Sequence, residues 1–365
     1  MISLISLGSL YLIQILSLFC FLLSYLQKKI ALFTFFAIFL PVVCYYYYSG
    51  LIVSHDSINF YIPFYEGTSW RLFEPGYTFL NSVFNSLGFG AYQFICTILV
   101  VNLYLTFYSV KKVLNDSASM LLSAFFLFSQ ISFAFIYMGL FRQSIAMSMV
   151  FLSLYFFLSD KKKTALAIII LSCLIHYSFV IFFAVAFFLK ISLENKKKLT
   201  FLFVFFAVLS PYFVGMLVSV LQGFSSGTLI DSFLRVVTYT EDNGLHEHYF
   251  FKYIFSCGIF IFHMTFLSKY YRGTKDYAIL NVIYSYSMCS LLGASVTYFS
   301  NEASIRILYN FNLFLTLLYS SFFVRTKIKP KILVFIMMIL ILIVYGYFSF
   351  EWMSSFINRY IVIDE

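Results

Sequence analysis

Long apolar stretches separated by short basic clusters run the length of the chain. A helix rises about 1.5 Å per residue, so about 20 apolar residues cross a hydrocarbon core of about 30 Å. Stretches of that kind lie at roughly 2–26, 30–48, 89–110, 118–138, 143–159, 199–221, 250–268, 277–299, 306–324 and 331–350. The pattern predicts an all-α polytopic membrane protein, with residues 1–365 forming a single integral membrane domain. The first stretch, Ile2 to Leu26, has no basic leader and no small-residue cleavage site before Gln27, and so reads as a retained transmembrane helix.

Residues 164–190 are too long for one crossing and too short for two full ones. Charge decides between them. If this stretch enters the membrane and returns as a hairpin, the basic residues divide 18 on one face against 6 on the other. A single crossing would give 11 against 13. The excess of Lys and Arg on cytoplasmic loops selects the hairpin, giving about twelve crossings with both termini outside. Each leg is then roughly 19 Å long, so its apex near His176 stops inside the membrane. Non-helical backbone at that depth survives only where protein buries it or water fills a cavity. His176 is therefore expected at the floor of an outward-facing cleft.

Composition narrows the class. Of 365 residues, 62% are hydrophobic and 11% charged, against about 45–50% and about 25% in soluble domains. A soluble enzyme, a disordered chain and a disulfide-stapled secreted domain are excluded. The net charge of +9 comes in short bursts between apolar runs, as topology signals do, so no nucleic-acid partner is expected. The six cysteines sit in or beside apolar stretches without metal-ligand spacing and read as packing residues. His246-Glu247-His248 alternates faces and lacks a third ligand, so no metal site is expected. No Walker loop, GxGxxG or HExxH occurs.

Two polar segments, about 49–88 and 222–249, are expected as long outer loops, and the inner connections are short and lysine-rich. The basic residues differ in kind between the faces: 16 Lys and 2 Arg inside, whereas five of the six outside are Arg. Arg forks onto phosphate or carboxylate, which a Lys point charge does not. Arg142, Arg235 and Arg306 thus look built for an anion, a pyrophosphate first of all. Arg142 and Arg306 both open an apolar stretch, where a helix N-terminus adds its own positive potential. His176, followed by Tyr177 and Ser178, suits general-base work through its ordinary titration near about 6.5. Asp56 and Glu74 are carboxylates that orient or deprotonate a hydroxyl, or else solvated loop charges. Glu302 stands four residues before Arg306, at ion-pair spacing on a helix. His263 reads as a packing residue without a polar neighbour, and Tyr45 to Tyr48 with Trp70 read as interfacial belt residues.

Taken in order, these residues resemble the EpsG/Wzy-type polysaccharide polymerases. The resemblance rests on His55-Asp56 with Asn59-Phe60-Tyr61, Glu74-Pro75-Gly76-Tyr77, Tyr137 with Arg142-Gln143-Ser144-Ile145-Ala146, His176-Tyr177-Ser178, and Arg306 with Tyr309 and Phe311. It covers about residues 55–311. It implies a glycosyltransferase of the C-type membrane class that moves a growing glycan from undecaprenyl pyrophosphate onto a lipid-linked repeat unit. On that reading Arg142, Arg306 and Arg235 neutralise the pyrophosphate, and His176, or else Asp56 or Glu74, is the base. Tyr77, Tyr137, Tyr177, Ser178, Glu302 and Tyr309 line the substrate, and Tyr61, Tyr65, Trp70 and Tyr77 stack on sugar rings or anchor in the interface. No cofactor or metal is implied. The partners are the undecaprenyl-pyrophosphate-linked oligosaccharide, membrane lipid and, as an open possibility, a chain-length regulator. The site faces out from the bacterial inner membrane. A lipid-linked oligosaccharide flippase is the alternative, although no internal repeat of the kind transporters carry is visible.

Overall fold

The computed structural model of the chain describes residues 15–24, 27–52, 54, 56–68, 73–128, 130–221, 246–271, 276–297 and 301–325. His55, Trp70, Arg71, Arg235 and the expected span 331–350 lie outside them, as does most of the segment 222–249. The described residues are helical, with no strand among them. Four helices are long and apolar enough to cross a membrane: Lys28–Ile52, Ala91–Leu114, Phe141–Leu158 and Asp276–Val296. These coincide with four of the expected spans. Contacts divide the chain into two units, Met1–Val180 with Thr316–Glu365, and Ile181–Leu315.

The first unit holds α1 (Ile15–Ser24), α2 (Lys28–Ile52, with a π-helical turn at Thr34–Phe39), α3 (Pro75–Ser86), α4 (Ala91–Leu114), α5 (Ser117–Phe128), α6 (Ile131–Met138), α7 (Phe141–Leu158) and α8 (Lys162–Ile175). Local chemistry sets the ends of α4. The Gln93 side chain accepts the Gly90 backbone N–H at 2.8 Å, and Asn115 closes the helix in the left-handed region at φ 50, which Asn tolerates. Asp116 then caps α5 by accepting the Ser119 N–H at 2.7 Å.

Helix α7 packs against both α4 and α8. In lipid, apolar burial supplies no force between helices, so close packing and interhelical hydrogen bonds hold them. Ser144 and Ser148 of α7 provide both. Their small side chains admit Asn102 of α4, which donates to the Ser144 hydroxyl and accepts from Ser148, each at 3.3 Å. A second seam is aromatic. Phe35, Phe39, Tyr47, Phe107, Phe128 and Phe133 meet edge-on or tilted across α2, α4, α5 and α6, at roughly 0.5–1.5 kcal/mol per good pair.

Three expectations change here. Tyr45 to Tyr48 do not form a uniform interfacial belt: Tyr45 is 74% exposed but Tyr47 is fully buried, because two residues along a helix turn the side chain by about 200°. The stretch 118–138 is two helices bent by 83°, which together are long and apolar enough for one broken span or a re-entrant loop. At the bend Gln130 donates its side-chain amide to Thr316 Oγ1 at 2.5 Å, a polar anchor that a straight apolar span would not hold. Residues 49–88, expected as a loop, are largely helical where described. They hold the end of α2, the turns Ser57–Tyr61 and Ile62–Tyr65, and α3, which Pro75 opens at the first helical position.

Helix α8 ends at Ile175, His176 takes extended backbone (φ −154, ψ 111), and a 3-10 helix runs over Tyr177–Ala184. The break thus falls where charge arithmetic put the hairpin apex.

The second unit holds α9 (Val185–Phe188), α10 (Leu193–Leu221), α11 (His246–Phe262), α12 (Asp276–Val296) and the part of α13 (Asn301–Arg325) up to Leu315. Here Lys196, one of the sixteen lysines assigned to the inner face, is fully buried. Its ammonium donates to Asn281 Oδ1 at 2.5 Å and Ser285 Oγ at 2.9 Å, tying α10 to α12. His263 does have a polar neighbour: Nδ1 lies 2.5 Å from the Tyr284 hydroxyl.

Candidate functional site

The site is built on the start of α3. Glu74 is its N-cap, Pro75 its first residue and Gly76 its second. A Cβ on Gly76 would lie 2.8 Å from the Leu174 carbonyl oxygen, 2.9 Å from its carbon and 3.0 Å from its Cβ. Only glycine therefore lets the first turn of α3 rest on the last turn of α8. That close approach brings Glu74 to His176, two residues past Leu174. Tyr77 locks the other side of the turn, fully buried against Tyr61, Phe64, Phe73, Phe94 and Phe141.

Glu74 is shared by a guanidinium and an imidazole. One carboxylate oxygen, Oε2, pairs with Arg142 Nη1, and Oε1 lies 3.1 Å from His176 Nδ1. The side chains of Glu74, Arg142 and His176 are 8%, 17% and 23% exposed. Arg142 stands in the first turn of α7, its guanidinium carbon 4.5 Å from the centre of the Phe73 ring and 5.9 Å from that of Tyr61. Rings on two sides and a carboxylate on a third fix a planar guanidinium more firmly than a Lys could be fixed.

Glu74 lies outside every membrane-spanning helix. Burial by itself raises its carboxyl. The hydrogen bond from His176 and the charges of Arg142 and His176 outweigh that and hold it down at about 2. An ionised carboxylate only accepts, so His176 Nδ1 carries the hydrogen, and Nε2 is the basic nitrogen when the ring is neutral. A carboxyl lowered in the folded state stabilises it fully above its ordinary value of 4.5 and loses that contribution as pH falls through about 2. The margin by which the melting temperature of wild type exceeds that of Glu74→Gln should thus shrink as pH falls from about 4.5 towards about 2. A margin that grew over that interval would contradict this arrangement.

The other expected residues divide. Asp56 precedes the turn Ser57–Tyr61, half-buried. Tyr137 is fully buried, its hydroxyl 2.6 Å from Thr106 Oγ1 and its ring stacked on Phe133 at 4.4 Å. Tyr61, Tyr65 and Tyr77 are 4%, 7% and 0% exposed. Their ring faces are taken by neighbouring aromatics, as in the stack of Tyr65 on Phe94 at 5.0 Å, so they form the wall rather than an open sugar platform. Tyr177 is 61% exposed and Ser178 half-buried. Arg306 and Tyr309 belong to the second unit, half-buried and 2% exposed respectively. Glu302 lies in α13, its side chain outside the described residues, and Arg235 lies outside them altogether. Phe73 was not foreseen. Its only sequence signal is that it directly precedes Glu74, so a residue holding the glutamate also offers a ring to the glutamate's partner.

The sequence profile of the EpsG family matches residues 46–362. The chain belongs to the EpsG family. This is a family of Wzy-type polymerases, and the chain is accordingly a multi-pass membrane protein of the exopolysaccharide or O-antigen polymerase type. No curated protein and no solved structure matches it. The EpsG match contains Glu74, Arg142 and His176 together with Arg235 and Arg306.

Proposed function

We propose that this EpsG-family protein transfers a growing glycan from undecaprenyl pyrophosphate to a hydroxyl of a second lipid-linked repeat unit, at the outer face of the inner membrane. The observation that carries the reading is the triple Glu74–Arg142–His176, which holds a proton acceptor and an anion binder on one carboxylate. The reaction requires both together. His176 Nε2 takes the acceptor hydroxyl proton, and the oxygen forms a bond to the anomeric carbon. The bond from that carbon to the pyrophosphate breaks, and its electron pair leaves on undecaprenyl pyrophosphate. Arg142, with Arg306 and Arg235, meets the charge developing there. Asp56 is the second choice of base. Tyr177 and Ser178, next to the base, and Glu302 and Tyr309, near Arg306, are proposed to contact the glycan. Arginines supply the positive charge, so activity is expected to survive EDTA.

The test is a polymer ladder. Wild type, His176→Ala and Arg306→Ala are expressed in a host that lacks its own polymerase but makes the matching lipid-linked unit, and the surface glycan is run on a gel. Wild type should give a ladder and each variant single repeats at equal protein level, a loss of at least about a hundredfold. If wild type gives no ladder but brings lipid-linked units to the outer face, the protein is a flippase.

A further inference from the structure

We propose that Glu74 is a positioning residue that couples the two halves of the transfer, holding Arg142 back from the pyrophosphate until His176 has taken the acceptor proton. The inference rests on the transferase reading above and goes beyond it, because it assigns the order of events to one side chain. Its basis is geometric. A single carboxylate spends Oε2 on Arg142 and Oε1 on His176, and at 8% exposure water does little to dilute either interaction. The ionisable groups around it are Arg142 of α7, His176 after α8, Tyr77 of its own helix, and Tyr61 beside Arg142. Of these, Arg142 and His176 make ion-pair contacts with the carboxylate.

Before the reaction the imidazole is neutral, and its Nδ1–H gives the ionised Glu74 a hydrogen bond in which only the acceptor is charged. The carboxylate charge then rests mainly with Arg142. When Nε2 takes the acceptor proton, the ring becomes a cation and the same contact becomes an ion pair, charged on both sides and stronger. The one negative charge is drawn to Oε1, and the new cation also repels the guanidinium across the carboxylate. Both effects loosen Arg142 at the moment the leaving pyrophosphate gains charge. Base protonation and leaving-group stabilisation are thereby linked through one residue, and an unprotonated site keeps Arg142 occupied.

Inorganic pyrophosphate serves as the probe, with the full-length protein in detergent. Its affinity is measured for wild type and Arg142→Gln at pH 5.5 and 8, each with and without Glu74→Gln. If charges simply add, the affinity lost on removing Arg142 is the same at both pH values. Coupling predicts that Arg142→Gln costs about tenfold more at pH 5.5, where histidine is protonated, than at pH 8. With Glu74→Gln in the background that difference should vanish. A difference that persists without Glu74, or is absent with it, overturns the coupling and leaves Glu74 a structural ion pair. If wild type binds no pyrophosphate at either pH, the anion role of Arg142 fails, and with it the transferase reading beneath. Should Arg142→Gln not fold, Arg142→Lys keeps the charge against Glu74 while losing the fork and the ring stacking, and is expected to show the same pH pattern at smaller amplitude.

Discussion

Arg142→Ala is expected to abolish polymer synthesis and to cost roughly 3–5 kcal/mol of folding stability. Two separate losses produce this. Chemically, the guanidinium that shares Glu74 with the base disappears, and removal of one preorganised charge at a leaving group slows a reaction by about a hundred- to a thousandfold. Structurally, Glu74 is left as a carboxylate only 8% exposed, with one partner in place of two. Arg142→Lys separates the two losses. It restores a charge for Glu74, and hence most of the stability, but has neither the fork for a phosphate nor the plane that lies over Phe73 at 4.5 Å. Melting temperature should therefore recover in Arg142→Lys while the ladder does not. A Lys variant that polymerises normally would show Arg142 to be a structural cation.

Gly76→Ala is expected to reduce activity far more than its effect on stability would suggest. The added Cβ meets backbone at 2.8 Å from the Leu174 carbonyl oxygen, and backbone cannot swing aside as the tip of a flexible side chain can. Either α3 or the end of α8 must move, at about 1–3 kcal/mol for an overpacked contact. The end of α8 carries His176, so the movement falls on the 3.1 Å contact between its Nδ1 and Glu74. A displacement of about 1 Å at a reacting group costs about a hundredfold in rate. Gly258→Ala is the control: its Cβ meets nothing within 4 Å, and in the helix His246–Phe262 it should be neutral or stabilising by up to about 1 kcal/mol. Turnover and melting temperature measured together on both variants decide the matter. Equal behaviour of the two would mean that the α3–α8 approach does not set the site.

The motif Glu74-Pro75-Gly76-Tyr77 gains its physical meaning from these contacts. The glutamate holds a guanidinium and an imidazole, the proline starts the helix, the glycine admits a neighbouring backbone, and the tyrosine anchors the turn in an aromatic core. From the sequence the four residues were legible as a unit, and Glu74 as a carboxylate of interest, but not its role. Its partners stand 68 and 102 residues away, and no periodicity reports which helices meet.

What the chain determines by itself is what the surrounding solvent acts on locally. Lengths of apolar residues make Lys28–Ile52, Ala91–Leu114, Phe141–Leu158 and Asp276–Val296 helices fit for a membrane. The break near His176 and the choice of Arg142 and His176 as candidates follow from how the basic residues divide along the whole chain. Tertiary structure alone decided which face of each helix meets protein. In water an amphipathic stripe marks the buried face, but in lipid both faces of a helix are apolar and the stripe fades. For that reason nothing in the local sequence marks Tyr47 or Lys196 as buried, although both are. The pairing of Glu74 with Arg142 and His176 was undetermined for the same reason, since it depends on α3 and α7 meeting the end of α8 through close packing that local sequence does not encode.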